Sequence, residues 1–428
     1  MPASRELPPQ LWRNALWLLS GNGIRFVVSG LYFVLLARVL GPANFGLFSA
    51  VLACANLASP FAYWGQPDLL VQQINRRPHH LMQLWGQALI LASLGGFCLT
   101  LLLTWPLSLG LPGLDPFTAG LLLLSELGFY GLQYVQKGML IGQERMAQVA
   151  QMDTGMAVAR LILVLILWGW GASSLAVWSW AYAGTALVVA SWIHWDLQRQ
   201  IAPLQLRWVD LGDKHTGLWA QCRMGWDFAV GLVAIKTFAD LDKLLLPSLA
   251  SAAAGGIYSA AYRLINIAQT PMLSLLTSSF AEVCRQGQQG IRSAWTYSAR
   301  LLPWVVGYGG VASLLLASLA GVLPWVLGAA YLETAQALRW LSVVIGLEGL
   351  HVLLSNVLTG AECQRLRGQL QVMAVGVNGA LNLWWIPLWQ WRGAAAATLV
   401  AEILLVLSLG AVIFHKLAQE NVHPRLKD

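Results

Sequence analysis

Long apolar runs follow one another along the chain, separated by short breaks of charge, glycine and proline. The first begins at Leu11 and does not break until Arg38, Gly41 and Pro42. A helix needs roughly 20 apolar residues to cross the hydrocarbon of a bilayer. Runs of that order fall near 11–37, 44–65, 82–106, 117–140, 147–168, 173–196, 220–247, 256–281, 300–327, 332–359, 367–388 and 393–416. The pattern therefore predicts an all-α polytopic membrane protein of about twelve transmembrane helices.

Composition agrees. The 428 residues are 57% hydrophobic and only 11% charged, against about 25% charged in soluble domains. Many of the 22 tryptophans, among them Trp12, Trp64, Trp105, Trp168, Trp195, Trp325 and Trp389, stand near predicted helix ends, where interfacial belts form. Cys54, Cys98, Cys222, Cys284 and Cys363 form no CxxC pair and read as small packing residues. The opening MPASRELPPQ lacks the pattern of a cleaved signal, so the first helix is expected to be retained as the targeting element.

The net charge of +7 does not call for nucleic acid, because the cations alternate between turns. One set holds Arg5 and Arg13, Arg76 and Arg77, Arg145, Arg199, Arg207 and Lys214, Arg285, Arg292 and Arg300, Arg365 and Arg367, and Lys416, Arg425 and Lys427. The opposite set offers Arg38 and Arg392. The positive-inside rule puts the first set, and both termini, in the cytoplasm. The longest cytoplasmic connection divides the chain into residues 1–200, a linker at 201–218, and residues 219–428. Two six-helix bundles around a central cavity are expected, a common transporter plan.

Arg25 lies in the middle of the first apolar run, where a cation costs several kcal/mol. Around it Asn14, Asn22, Ser29 and Tyr32 recur near multiples of 3.6 and form a polar stripe. The halves also echo one another. FGLFSAVLACANLASP (45–60) and GGIYSAAYRLINIAQTP (255–271) align at an offset of 210, pairing Phe48 with Tyr258 and Ser49 with Ser259. That offset carries Arg25 to the neighbour of Lys236, a second mid-helix cation. Each is roughly 15–20 Å from either helix end at 1.5 Å per residue, too deep to snorkel easily. Two readings stand: the cations line a wet cavity and meet an anion, or they are structural ion pairs with Asp153, Asp227, Asp240 or Glu126. Asp240, one turn from Lys236, is the obvious partner for it.

NALWLLSGNGIRFVVSGLYFVLLARVLGPANFG and its continuation to Gln73 resemble the opening of Wzx-type polysaccharide-biosynthesis flippases, most specifically in ARVLGPANFG. FADLDKLLLPSLASAAAGGIYSAAYRL is similar to their helix seven–eight unit, and LGAAYLETAQALRWLSVVIGLEGL with LTGAECQRL to their helix nine–eleven region. LLLPSLAS departs from the glycine-bearing turn that those relatives commonly keep. The resemblance implies the MATE-like flippase fold of the MOP superfamily. It also implies movement of undecaprenyl-pyrophosphate-linked oligosaccharide from the cytoplasmic to the periplasmic leaflet of a bacterial inner membrane. O-antigen, capsule and exopolysaccharide units all fit, with a polymerase and chain-length machinery as downstream partners. A pyrophosphate needs cations at depth, with arginine binding it bidentately and lysine as a point charge. The expected substrate-binding set is Arg25, Lys236, Arg160, Asn22, Ser29 and Arg263, with Tyr32, Tyr130, Tyr134 or Trp226 to stack sugars.

Other charges within apolar runs are Glu126, Asp153, Arg160, Glu348 and Glu402. Glu126, Asp153 and Asp240 are candidates to carry a coupling proton. Arg263 and Arg339 read either as phosphate ligands near the outer face or as snorkelling side chains, Lys137 as interfacial, and His351 as a packed or hydrogen-bonded histidine. No G-x-x-x-x-G-K-[ST], HExxH or GxSxG occurs. No enzyme activity, catalytic residue, cofactor or metal is expected. The competing reading is a cation-coupled exporter of small amphiphilic molecules on the same fold, which calls for acids where the first reading needs cations.

Overall fold

The stretch ARVLGPANFG is a bend within a helix. In the computed structural model, which describes residues 9–74, 81–201 and 218–422, α1 (Pro9–Ala62) continues through it. Its direction changes at Gly41, with φ 69° and ψ 170°. That left-handed φ is open to glycine without Cβ strain, and Pro42 restarts the helix where its missing N–H has no partner to lose. The two runs at 11–37 and 44–65 are thus one chain of helix with a bend.

The remaining helices are α2 (Gln66–Ile74), α3 (Leu81–Gly110), α4 (Pro116–Leu123), α5 (Gly131–Gly142), α6 (Met146–Gly169), α7 (Leu175–Ile201) and α8 (Leu218–Leu249). They continue with α9 (Ala252–Gly287), α10 (Ile291–Ala299), α11 (Leu302–Leu319), α12 (Leu323–Leu327), α13 (Leu332–Leu341), α14 (Val344–Gly360), α15 (Gln364–Trp389) and α16 (Trp391–Val422). Among the described residues every extended element is helical. The starts of α4 and α9 are capped by side chains. Asp115 accepts from the N–H groups of Phe117 and Thr118 at 3.0 Å each, and Ser251 accepts from Ala254 N at 3.1 Å. Hydrogen bonding by Thr118, with Phe117 adding to it, holds the Asp115 carboxyl below its usual range. LLLPSLAS ends α8 at Leu249, and Ser251 starts α9.

Among the described residues seven helices are long and apolar enough to cross a membrane, and eight if the bent pair Ala329–Leu341 and Val344–Gly360 counts as one span. The expected spans 117–140, 220–247 and 256–281 are helical too, but the first is interrupted and the others are more polar. Between α4 and α5 the ladder loosens into a π-turn, Leu124–Tyr130, a distortion frequent at functional sites. Large apolar side chains stand outward: Leu102 is 66% exposed, Leu109 80% and Leu314 72%. In water such faces would aggregate; against acyl chains they are at home. The protein is an all-helical, multi-pass membrane protein.

The chain passes between two compact units at Lys236 and Thr237, within α8. The linker expected at 201–218 lies almost wholly outside the described residues. In the first unit a core of Tyr63, Leu70, Leu84, Trp85, Val135 and Met139 ties the first helices together. The start of α8 belongs to this unit for a local reason. Trp64 Nε1 donates to Cys222 O at 2.8 Å, and a Cβ on Gly225 would lie 2.1 Å from Trp64 O. Only glycine admits that approach. In the second unit Tyr258 on α9, Tyr331 beside α13, and Leu338, Val344 and Leu358 are buried.

Candidate functional site

The polar residues inside the first unit lie on α1, α5, α6, α7, α8 and the π-turn. Asp153, on α6, accepts from Arg25 Nη1 at 2.8 Å and from Lys137 Nζ at 2.7 Å. One carboxylate therefore faces two cations, with Arg25 about a third exposed (35%) and the other two about a fifth. Two turns further along α6, Arg160 Nη2 donates to Glu126 Oε1 at 3.2 Å. Its guanidinium lies over the rings of Tyr182 (4.6 Å) and Tyr130 (5.7 Å). The Tyr182 hydroxyl donates to the same Glu126 oxygen. Asp153 and Arg160 are seven apart on α6 and project from one face.

Lys236, at the end of this unit, turns to the last turns of α1. Its ammonium donates to Asn56 Oδ1 at 2.8 Å, Ser59 Oγ at 2.7 Å and Tyr63 OH at 3.3 Å. Asp68 is within electrostatic reach. Tyr63 stacks on Tyr134 with ring centres 5.2 Å apart, and Lys137 Nζ lies 6.0 Å from the Tyr134 ring. Aromatic rings thus link Lys236 through Tyr63 and Tyr134 to Lys137, Asp153 and Arg25. Four cations (Arg25, Lys137, Arg160, Lys236) share the seam with Glu126 and Asp153, and with Asp68 at its edge. Among the described residues the seam thus gathers four cations and three acids.

Of the expected residues, Arg25, Arg160, Lys236, Glu126 and Asp153 come together here. Arg25 is paired with Asp153 and about a third exposed. Ser29 is half-buried on α1. The side chains of Asn22 and Asp227 lie outside the described residues. Arg263 is exposed on α9, in the second unit, and Arg339 Nε reaches Ala317 O at 3.4 Å. Trp226 packs between Phe61 and Trp64, each with ring centres 5.7 Å away.

Lys137, expected at the interface, has its ammonium paired with Asp153 beside Arg25. The signal was present: Glu126, Tyr130, Tyr134 and Lys137 follow at spacings of four, four and three, one face of a helix. Asn56, Ser59 and Tyr63 likewise form a short polar stripe on α1.

The second unit holds a different chemistry. Asp240, named with Lys236, accepts from Lys243 Nζ at 2.5 Å. Asp242, 3% exposed, accepts from the hydroxyl of Tyr258 and from Thr398 Oγ1 at 3.3 Å. Gln269 Nε2 donates to Glu348 Oε2 at 2.6 Å, and His351 Nδ1 meets Glu402 Oε2 at 3.2 Å. This interior is rich in acids where the first is rich in cations. Among the described residues no cluster of three or more His, Cys, Asp or Glu is arranged to hold a metal ion.

The fold matches those of solved transporters. An inward-facing multidrug resistance MATE family transporter of the MOP superfamily superposes with a TM-score of 0.71 at 16% identity, covering 93% of this chain and 98% of that one. The lipid II flippase MurJ, in an inward closed conformation, gives 0.74 at 13% identity over 92% and 86%. A MOP superfamily transporter from Pyrococcus furiosus, described as having a binding pocket of reversed polarity, gives 0.60 at 15% over 94% of each chain. No curated protein matches the chain. The family of polysaccharide biosynthesis proteins matches residues 11–280, which contain the whole cationic seam. The chain belongs to the polysaccharide biosynthesis protein family.

Proposed function

We propose that the protein is a flippase for undecaprenyl-pyrophosphate-linked oligosaccharide repeat units. It moves them from the cytoplasmic to the periplasmic leaflet of a bacterial inner membrane by alternating access, with both termini in the cytoplasm. A polymerase and its chain-length machinery then take up the product for cell-surface polysaccharide.

The observation that carries this reading is the gathering of Arg25, Lys137, Arg160 and Lys236 among the described residues of the first unit. A pyrophosphate brings at least two negative charges, and carrying one bare ion into an apolar medium costs tens of kcal/mol by Born solvation. Arg25 and Lys137 both bind the Asp153 carboxylate, so an arriving anion can take one of them while Asp153 keeps the other. Arg25 suits a phosphate by its planar fork and Lys137 as a point charge. Tyr134, exposed beside those cations, offers a ring face and a hydroxyl, the groups that sugar rings use. Membership of a polysaccharide biosynthesis family, and the likeness in fold to a lipid II flippase, agree with this substrate class.

The exporter of small amphiphilic molecules is the competing reading, because MATE drug transporters share the fold. It requires acids facing the substrate, whereas Asp153 and Glu126 are both engaged by cations in this structure. The deciding experiment is deletion of the protein followed by mass spectrometry of membrane lipids. Accumulation of an undecaprenyl-pyrophosphate oligosaccharide with loss of surface glycan is expected. Intact surface glycan together with new sensitivity to amphiphilic cations would favour the exporter.

A further inference from the structure

The second unit buries more carboxylates than fixed cations. Tyr262, on α9, stands within electrostatic reach of Asp240, Asp242, Glu348 and Glu402. Against those four stand Lys243, within reach of both Asp240 and Asp242, and Arg367, which donates to Thr359 Oγ1 at 2.8 Å. Among the described residues the cluster thus gathers four carboxylates and two fixed cations, at a depth where an unpaired charge costs several kcal/mol. Glu402 is 2% exposed. The remaining titratable base in the cluster is His351, whose Nδ1 faces Glu402 at 3.2 Å.

From this geometry we infer that His351, Glu402 and Glu348 form a proton-binding site in the second unit, separate from the cationic seam of the first. The inference deepens the transport reading by naming a coupling ion, and rests on it for that role. His351 carries the proton, donating Nδ1–H to Glu402 Oε2, and release hands the proton to water and leaves a neutral ring. A proton fits better than a metal cation because the Glu348 carboxylate is already occupied by an amide donor, Gln269 Nε2 at 2.6 Å. An imidazole nitrogen is also a poor ligand for sodium-like ions, which take oxygen.

The groups facing His351 come from every neighbouring helix. Glu402 comes from α16, Glu348 from its own α14, and Arg367 from α15. Phe238, from α8, presents its ring edge-on with centres 6.1 Å apart; behind Glu348 lie Lys243 with Asp240 and Asp242. Tyr262 comes from α9. The other helices packed on α14 have their polar groups engaged elsewhere: Tyr308 of α11 gives its hydroxyl to Ala268 O at 2.7 Å, and the backbone N–H of Arg292 on α10 meets Glu420.

The site also touches a weak point of the fold. Gln269 precedes Pro271, which interrupts the hydrogen-bond ladder inside α9. Losing the proton removes the attraction between His351 on α14 and Glu402 on α16. The proton is thereby linked to the packing of α14 and α16, beside the α9 bend where Gln269 holds Glu348.

The test is nitrogen-15 NMR of histidine-labelled protein in lipid nanodiscs at about pH 7.5, above the ordinary histidine range. The chain has seven histidines, so the signal missing from His351→Gln identifies the site. The expected result is an imidazolium in the wild type that becomes neutral in Glu402→Gln, or in Glu348→Gln should the first variant fold poorly. A neutral His351 in the wild type, or an imidazolium that survives the substitution, would overturn the inference. In proteoliposomes, flux of the lipid-linked oligosaccharide should change by up to about tenfold per unit of pH gradient. Flux that ignores the gradient contradicts the coupling role. A wild type that moves no lipid-linked oligosaccharide while giving the expected NMR result defeats the flippase reading and leaves the proton site standing.

Discussion

Arg25 on α1 and Asp153 on α6 meet at 2.8 Å, and Lys137 meets the same carboxylate at 2.7 Å. Removing one member of the trio therefore has unequal consequences. Asp153→Asn leaves two cations facing each other, whereas Lys137→Met leaves the Arg25–Asp153 pair intact. Breaking a fully buried pair costs about 3–5 kcal/mol. These side chains are a fifth to a third exposed, which reduces the loss for Asp153→Asn to about 1–2 kcal/mol. Lys137→Met should cost less. Thermal unfolding in detergent checks the order; equal stability of the two variants would contradict the shared-carboxylate geometry.

How much of this was legible beforehand depends on where each charge falls in the hydrophobic pattern. Arg25, Asp153, Arg160 and Glu126 interrupt apolar runs, so their unusual placement shows in the sequence. Lys137 lies close to the break that holds Glu144 and Arg145, and hydropathy alone assigns it to the interface. Only the helical face shared with Glu126, Tyr130 and Tyr134 separates it from that break, and the π-turn at Leu124–Tyr130 blurs even this register. His351 and Glu402 stand far apart in sequence, and nothing local signals that α14 and α16 bring them together. The spans were readable because the bilayer imposes length and apolarity. The Gly41–Pro42 break reads as a turn in sequence, although the helix bends through it.

Membrane topology follows from the cations of the turns. Reporter fusions after Gly171 and after Arg392 should report the periplasm, and one after Arg207 the cytoplasm. A periplasmic signal after Arg207 would reverse the orientation, and with it the direction of transport.

Close helix approach at Gly225 and the bend at Gly41 make different demands. A Cβ on Gly225 would lie 2.1 Å from Trp64 O, in contact with rigid backbone, so Gly225→Ala should cost about 1–3 kcal/mol through overpacking. Gly41 has open space around it but a φ of 69°, so Gly41→Ala should cost about 1–2 kcal/mol through strain alone. Melting temperatures of the two variants test this. A Gly225→Ala protein as stable as the wild type would mean that the start of α8 does not pack against Trp64 as described.

Asp115 should give α4 a pH-dependent anchor. Its folded pKa is depressed by hydrogen bonds from Thr118 and Phe117, so its contribution is present above the unfolded carboxylate range and is lost as pH falls through the folded value. Asp115→Ala should lower stability by about 0.5–2 kcal/mol at neutral pH and by less in acid. A stability difference that does not shrink on acidification would contradict the capping role.

The most direct measurement of the anion site is glycan export per folded molecule in variants of Arg25. Arg25→Ala leaves the Lys137–Asp153 pair, so the protein should still insert and fold while export falls to background. Arg25→Lys should retain partial export, because a point charge remains without the bidentate fork. Arg25→Glu should be as inactive as Ala or worse. Surface glycan normalised to folded protein in the membrane gives the answer. Normal export per folded molecule in Arg25→Ala would contradict an anion site at Arg25.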